Sequence, residues 1–127
     1  MQITHLNPPT VHRNPAFSQG VLVESPGKLV VVGGQNGVDD TGQFVADDVG
    51  AQTAQALRNV LAVLQSAGAT QEHVIKLAIY LVAGQSIEAG FQASREVWGY
   101  HATPISVLLV AGLAQPGALV EIEAMAA

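Results

Sequence analysis

Leu119-Val120-Glu121-Ile122-Glu123-Ala124 is the stretch on which the fold and the search for a site both turn. Side chains alternate across a strand, so Val120, Ile122 and Ala124 make one wholly apolar face, while Leu119, Glu121, Glu123 and Met125 make the other. Such a strand is buried on one side and carries two carboxylates on the side turned away from the core. Glu121, in the middle of the run, is the leading candidate for chemistry.

Working outward, Ser106-Val107-Leu108-Leu109-Val110-Ala111 is a further strand, with Ile105, Val107 and Leu109 on one face and Leu108 and Val110 on the other. Residues 73–82 alternate Val74, Lys76, Ala78 and Tyr80 against Ile75, Leu77, Ile79 and Leu81, which predicts a strand with a strongly apolar face. Between positions 48 and 67, Val49, Ala56, Leu57, Val60, Leu61 and Leu64 recur at helical spacing, with Asp47 or Asp48 placed to cap the start and Gly68 to end the helix. A second helix is expected over about 86–98, with Ile87, Phe91, Ser94 and Trp98 on related faces. Nearer the amino end, Gln2-Ile3-Thr4-His5 alternates well enough for a short strand within a polar arm that reaches Pro15. Residues 19–24 and 28–32 read as a hairpin joined by Ser25-Pro26-Gly27, a turn whose Pro fixes one φ and whose Gly permits a positive one. A second turn is expected at Asp39-Asp40-Thr41-Gly42. The order is β-β-β-α-β-α-β-β, an α+β sheet backed by two helices.

Two helices cover only one face of such a sheet, yet the strand containing Ile105 and Val110 is apolar on both. The uncovered face would be a large exposed apolar patch on a monomer, so the pattern predicts that other copies of the chain bury it.

With 127 residues, 49% of them hydrophobic, and no low-complexity tract, the chain reads as one domain over 1–127 with material for a core. Its net charge is −5, and Arg13, Lys28, Arg58, Lys76 and Arg95 are spread singly, which argues against a nucleic-acid partner. No Cys is present, so disulfides, thiolate catalysis and thiolate-bound metal are excluded. Neither an amino-terminal apolar h-region nor a run able to span a bilayer is found, and the expected location is cytoplasmic, without membrane contact. His5, His12, His73 and His101 have no metal-binding spacing, so no metal is expected, and no cofactor motif occurs. Gly33-Gly34-Gln35-Asn36-Gly37 follows a strand but leads into a turn, not a helix, so its glycines are read as allowing close approach of a ligand or neighbouring subunit. Ser18 and Ser106 lack a nucleophile elbow, and nothing in the sequence pairs either with a His.

Pro15-Ala16-Phe17-Ser18-Gln19-Gly20, Gly33-Gly34-Gln35, the Ala51-Gln52-Thr53 helix start, the Ala67-Gly68-Ala69 helix end, the strand at 73–81 and Leu119-Val120-Glu121-Ile122-Glu123-Ala124 together resemble the RidA (reactive intermediate deaminase, or YjgF) family. The resemblance runs in order over almost the whole chain, and the closing Val-Glu-Ile-Glu-Ala segment is its most specific piece. It implies a chorismate-mutase-like sheet backed by two helices and a homotrimer with small-molecule clefts between subunits.

In deaminating members, an arginine at the start of the fifth strand holds the substrate carboxylate, and a glutamate on the last strand positions the water that hydrolyses an enamine or imine to a ketoacid and ammonia. Glu121 matches the glutamate. Where the family reads Ala-Arg-Ser or Ala-Arg-Thr, this chain reads Pro104-Ile105-Ser106. An aliphatic side chain cannot make the paired charged hydrogen bonds of a guanidinium. Phe17 stands where many members carry tyrosine, and Phe91 about where some offer asparagine. The chain therefore resembles a divergent branch in which deamination of 2-aminoacrylate is weak or absent.

The site expected from the resemblance comprises Glu121 as catalytic base or water-orienting group, with Phe17, Gly33, Gly34, Phe91, Ile105 and Val107 lining the cleft and Arg13 as a candidate replacement cation. Two functions follow: a hydrolase or deaminase of another C=N or enamine metabolite, or a non-catalytic small-molecule-binding or sensing trimer. Against these stand plainer readings: Glu121 in an intersubunit hydrogen-bond network, the apolar residues as interface packing, and Arg13 as an ordinary surface residue.

Overall fold

The computed structural model describes residues 2–12, 15 and 18–127. In chain order it forms β1 (Gln2–Leu6), β2 (Gly20–Glu24), β3 (Val30–Gln35), α1 (Val49–Ser66), a 3-10 turn (Gln71–His73), β4 (Val74–Val82), α2 (Ile87–Trp98), β5 (Ile105–Val110) and β6 (Val120–Ala126). The expected order of strands and helices is therefore present, in an α+β arrangement. Among the described residues no helix is long and apolar enough to cross a membrane.

The main sheet runs β3-β6-β4-β5. β6 is antiparallel to both β3 and β4, while β4 and β5 are parallel and joined through α2. Both helices lie on one face, where Leu57, Val60 and Leu64 of α1 meet Val32, Leu77, Leu81, Val120, Ile122 and Ala124 in a single cluster. Asp48 caps α1 by accepting a hydrogen bond from the Ala51 amide at 2.8 Å, and Gly68, at φ 74°, ends it.

Three expectations are corrected. β2 does not pair with β3 as a hairpin; it pairs with β1, from Gln2↔Glu24 to Leu6↔Gly20, as a separate two-stranded ribbon. The turn between β2 and β3 carries its positive φ on Ser25 (48°), not on a glycine, and sends the chain to β6 instead of back along β2. On β4, two residues oppose one where Val74↔Ala126 is followed by Lys76↔Met125, and this bulge turns Val74 into the core, away from the face it was expected to share with Lys76. On α2, Phe91, Ser94 and Trp98 face a common cavity, as their spacing predicts, while Ile87 is exposed and Gly90 sits against Thr53 of α1.

Gln52 of α1 is fully buried and has its amide satisfied: Nε2 donates to Ala46 O and Gly117 O, and Oε1 accepts from the Leu119 amide at 2.9 Å. It thus ties the loop before α1 to the residues entering β6. Gly37 crosses α1 so closely that a Cβ there would sit 2.5 Å from Gln52 Cα.

Candidate functional site

β6 alternates as its sequence requires: Val120, Ile122 and Ala124 are buried, while Glu121 and Glu123 are half-buried on the opposite face. Glu121 faces Tyr80 across the β4 ladder and is framed on its other side by β3. There, Val32 pairs with Ala124 and Gln35 with Ile122, so β3 carries an extra residue at Gly33-Gly34. Gly34 passes over the Glu121 carboxylate, and a Cβ there would lie 2.6 Å from Oε2. The glycine expected to admit a ligand or a neighbour thus makes room for the chain's own glutamate. At Gly33 a Cβ would meet nothing within 4 Å.

Asn36 orients the carboxylate. Its Nδ2 donates to Glu121 Oε1 at 3.3 Å and to Val120 O at 3.1 Å. The Asn36 loop is in turn anchored from α1, where Asn59 Nδ2 donates to Asn36 O at 3.1 Å and Val38 O at 2.9 Å, and Gln55 Nε2 donates to Asn59 Oδ1 at 2.9 Å. Helix α1 therefore fixes the position of Glu121 through a chain of amides. None of these amides was singled out from the sequence, because their partners lie up to 85 positions away.

Glu123 accepts a hydrogen bond from Tyr80 Oη at 2.8 Å. That bond and the nearby negative charge hold the Tyr80 phenol above its ordinary pKa. Lys76 Nζ donates to Ser106 Oγ at 2.7 Å, between β4 and β5. Around these polar groups the open face leaves Val31 65% and Leu108 45% exposed.

Ile105 and Phe91 lie elsewhere. Ile105 pairs with Leu77, and both point to the helix-covered side, opposite to Glu121. Together with Phe91, Trp98, Tyr100 and Arg95 they wall a cavity of about 360 Å³ between α2 and the start of β5. Val107, two residues further on, is 52% exposed and does not line the cavity. Phe17 and Arg13 lie outside the described residues, although Pro15 reaches the cavity wall. The structure thus joins Ile105 with Phe91 and Gly34 with Glu121, but within one chain it separates the two pairs by the thickness of the sheet.

The aromatic part of the cavity follows from local structure. Gly99 adopts φ 75° and ψ −149° at the end of α2, a region essentially reserved for glycine, and the turn brings Tyr100 back over the helix. The Arg95 guanidinium then lies 4.5 Å from the centre of the Tyr100 ring and 5.4 Å from that of Phe91, one helical turn earlier. Trp98 is buried and donates from Nε1 to Thr103 Oγ1 at 3.2 Å, which fixes the rear wall.

His101 closes one end of the cavity. Burial, then the nearby His5, hold its imidazole below the ordinary pKa, with Glu72 opposing weakly. His5 and His101 meet edge to face, 5.6 Å between ring centres. His5 Nδ1 also bonds Ser18 Oγ, contrary to the expectation that no His accompanies this serine. Ser18 donates its one hydroxyl proton to Ala102 O at 2.7 Å, so it must accept from His5 Nδ1–H. A serine in this role is 2% exposed and is a clasp between the β1–β2 ribbon and the loop before β5, not an activated nucleophile. Among the described residues no three His, Asp or Glu side chains converge as a metal site.

The sequence matches the family model described as Endoribonuclease L-PSP over residues 10–127. It is 30% identical over 111 residues to a RutC family protein of Pyrococcus abyssi, covering 87% of this chain and 84% of that one. The human 2-iminobutanoate/2-iminopropanoate deaminase is 29% identical over 111 residues, covering 87% of this chain and 78% of the enzyme. Among solved structures, a Rid-family protein of unknown function from Yersinia pestis superposes with a TM-score of 0.86 at 32% identity, covering 99% of this chain and 98% of the other.

Proposed function

Because the chain belongs to the Endoribonuclease L-PSP family, also called RidA or YjgF, we propose that it assembles as a homotrimer and hydrolyses or deaminates a small enamine- or imine-type metabolite in clefts between subunits. Membership supports a small-molecule deaminase or binding role in general. The observation that carries the catalytic reading is the held carboxylate: Asn36 bonds Glu121 Oε1, while the bulge at Gly34 lets the backbone pass close over Oε2. A carboxylate restrained in this way can orient a water and accept its proton. The water oxygen bonds to the C=N carbon as its first proton passes through the carboxylate to nitrogen, giving a carbinolamine; the hydroxyl then gives up its remaining proton, which also passes to nitrogen as the C–N bond breaks, leaving a carbonyl compound and ammonia.

Assembly is part of the same reading. Glu121 and the Ile105 cavity lie on opposite faces of one sheet, so a cleft using both draws Glu121 from a neighbouring copy. The exposed Val31 and Leu108 on the open face favour burial by that neighbour. Phe91 and Ile105 make the cavity apolar, which favours a bulkier substrate than a 2-aminoacrylate-type enamine. RNA cleavage is not proposed, because a net charge of −5 with singly scattered cations offers no track for a phosphate backbone. A second reading, binding or sensing without chemistry, is favoured by the cavity's described lining, which contains no carboxylate.

Ammonia release from imines with small and bulky side chains, measured alongside light scattering, tests both parts. The bulkier imine should be turned over, and Glu121→Gln should reduce its rate by about 100-fold or more without dissociating the trimer. A stable monomer at micromolar concentration overturns the assembly, and full activity in Glu121→Gln overturns the catalytic role.

A further inference from the structure

We infer that the β1–β2 ribbon is a proton-sensitive strap over the His101 end of the cavity, closed while His101 is neutral and released when His101 takes up a proton. The strap works in the same way whether or not Glu121 turns over a substrate.

The ribbon is an appendage of the main sheet. Among the described residues no backbone ladder joins the two. What ties the ribbon to the loop before β5 is the clasp in which Ser18 donates to Ala102 O at 2.7 Å and accepts from His5 Nδ1–H. His5 also packs edge to face on His101, next to the residue that the clasp holds. Pro15, on the connection between β1 and β2, shares the cavity wall with His101, so release of the ribbon opens that end of the cavity.

The loop is the fixed side of this contact. Thr103 is fully buried, accepts from Trp98 Nε1 at 3.2 Å and donates its amide to His101 O at 3.0 Å. The ribbon, with no sheet edge to hold it, is the side that moves.

His101 is the responsive group. Its Nε2 is buried without a hydrogen-bond partner. In an imidazolium both ring nitrogens are donors, so protonation would leave a charged Nε2–H with neither water nor an acceptor. The groups around it give little relief: His5 of β1 is a second imidazole, Arg95 of α2 is a cation in the same cavity wall, and Glu72 of the turn before β4 opposes weakly. His5 itself is not the trigger, because its Nδ1–H is present in both protonation states and the bond to Ser18 survives either way. Burial, then His5, hold the His101 pKa below 6.5 while the strap is closed, and opening returns it toward that ordinary value. Opening is therefore favoured as the pH falls from 6.5 toward the lower closed-state value.

Hydrogen exchange of the full-length protein at pH 7.5 and 5.5, corrected for the intrinsic pH dependence of exchange, provides the test. A released two-stranded ribbon is too small to keep its own ladder. Amides of residues 2–6 and 20–24 should therefore exchange about 3- to 10-fold faster at the lower pH, while those of α1 and β6 keep their protection. His101→Gln, neutral throughout, should abolish this acceleration. Ser18→Ala cuts the clasp without altering either imidazole, and should speed ribbon exchange at pH 7.5 by about 5-fold. Equal ribbon protection at the two pH values, an acceleration that survives His101→Gln, ribbon protection unmoved by Ser18→Ala, or an equal loss of protection in α1 and β6 overturns the strap.

Discussion

The two faces of the β4–β6 pair share one backbone and differ in almost everything else. Toward the helices, Leu77, Leu81, Val120, Ile122 and Ala124 close into a core that needs no partner. On the other side, Tyr80, Glu121 and Glu123 form a polar band beside exposed Val31 and Leu108. The first face is complete in one chain. On the second, Glu121 is oriented by Asn36, and the cavity containing Ile105, Phe91 and Arg95 lies behind the sheet. In the trimer proposed above, a neighbouring copy would bring the two regions together.

Neighbouring residues on opposite faces make this contrast testable. Ile122→Ala should lower the unfolding free energy by about 2–5 kcal/mol in urea denaturation, because it opens a cavity in a fully buried position. Glu121→Gln, one residue away, should change it by less than about 1 kcal/mol, since an amide keeps the volume and an acceptor for Asn36. Comparable losses from the two would mean that the open face carries the fold as much as the core does.

A smaller effect is expected one step back from the carboxylate. Asn36→Ala removes the donor to Glu121 Oε1 but leaves the glutamate in place, so turnover of an accepted imine should fall about 10-fold, with KM changing less than kcat. An unchanged kcat would show that backbone geometry alone orients the carboxylate.

The smallest expected effect concerns pH. His101 has a folded-state pKa below its ordinary value of 6.5, chiefly through burial, so the folded protein resists a proton that the unfolded chain accepts. Its contribution to stability is present above 6.5 and is lost as the pH falls from there toward the lower folded value. His101→Gln should flatten that part of the stability curve, as measured by melting temperature across the acidic range. A curve of unchanged slope would assign the pH dependence to other groups.

Much of the fold was legible because it depends on short-range periodicity. The helix α1 and the in-out alternation of β6 follow from spacing, which left the cap open between Asp47 and Asp48 until the structure placed it at Asp48. The failures have local causes that spacing does not encode. Residues 19–32 contain two strand-like runs and a turn, which suit a hairpin, but β2 takes β1 as its partner and β3 takes β6. Pairing partners are chosen by the whole sheet, and sequence separation carries no signal of that choice. The bulge that buries Val74 likewise exists only once β6 lies beside β4.

The candidate site divides along the same line. Sequence alone put Glu121 on the face opposite Val120 and Ile122, because alternation is a property of the strand. Only tertiary structure brought Asn59 and Asn36 to that carboxylate, laid Gly34 over it, and set Arg95 between Phe91 and Tyr100 beside Ile105. Periodicity fixes the side of an element on which a residue lies; which distant residue it meets there depends on strand order, bulges and helix crossings, which arise when the chain packs.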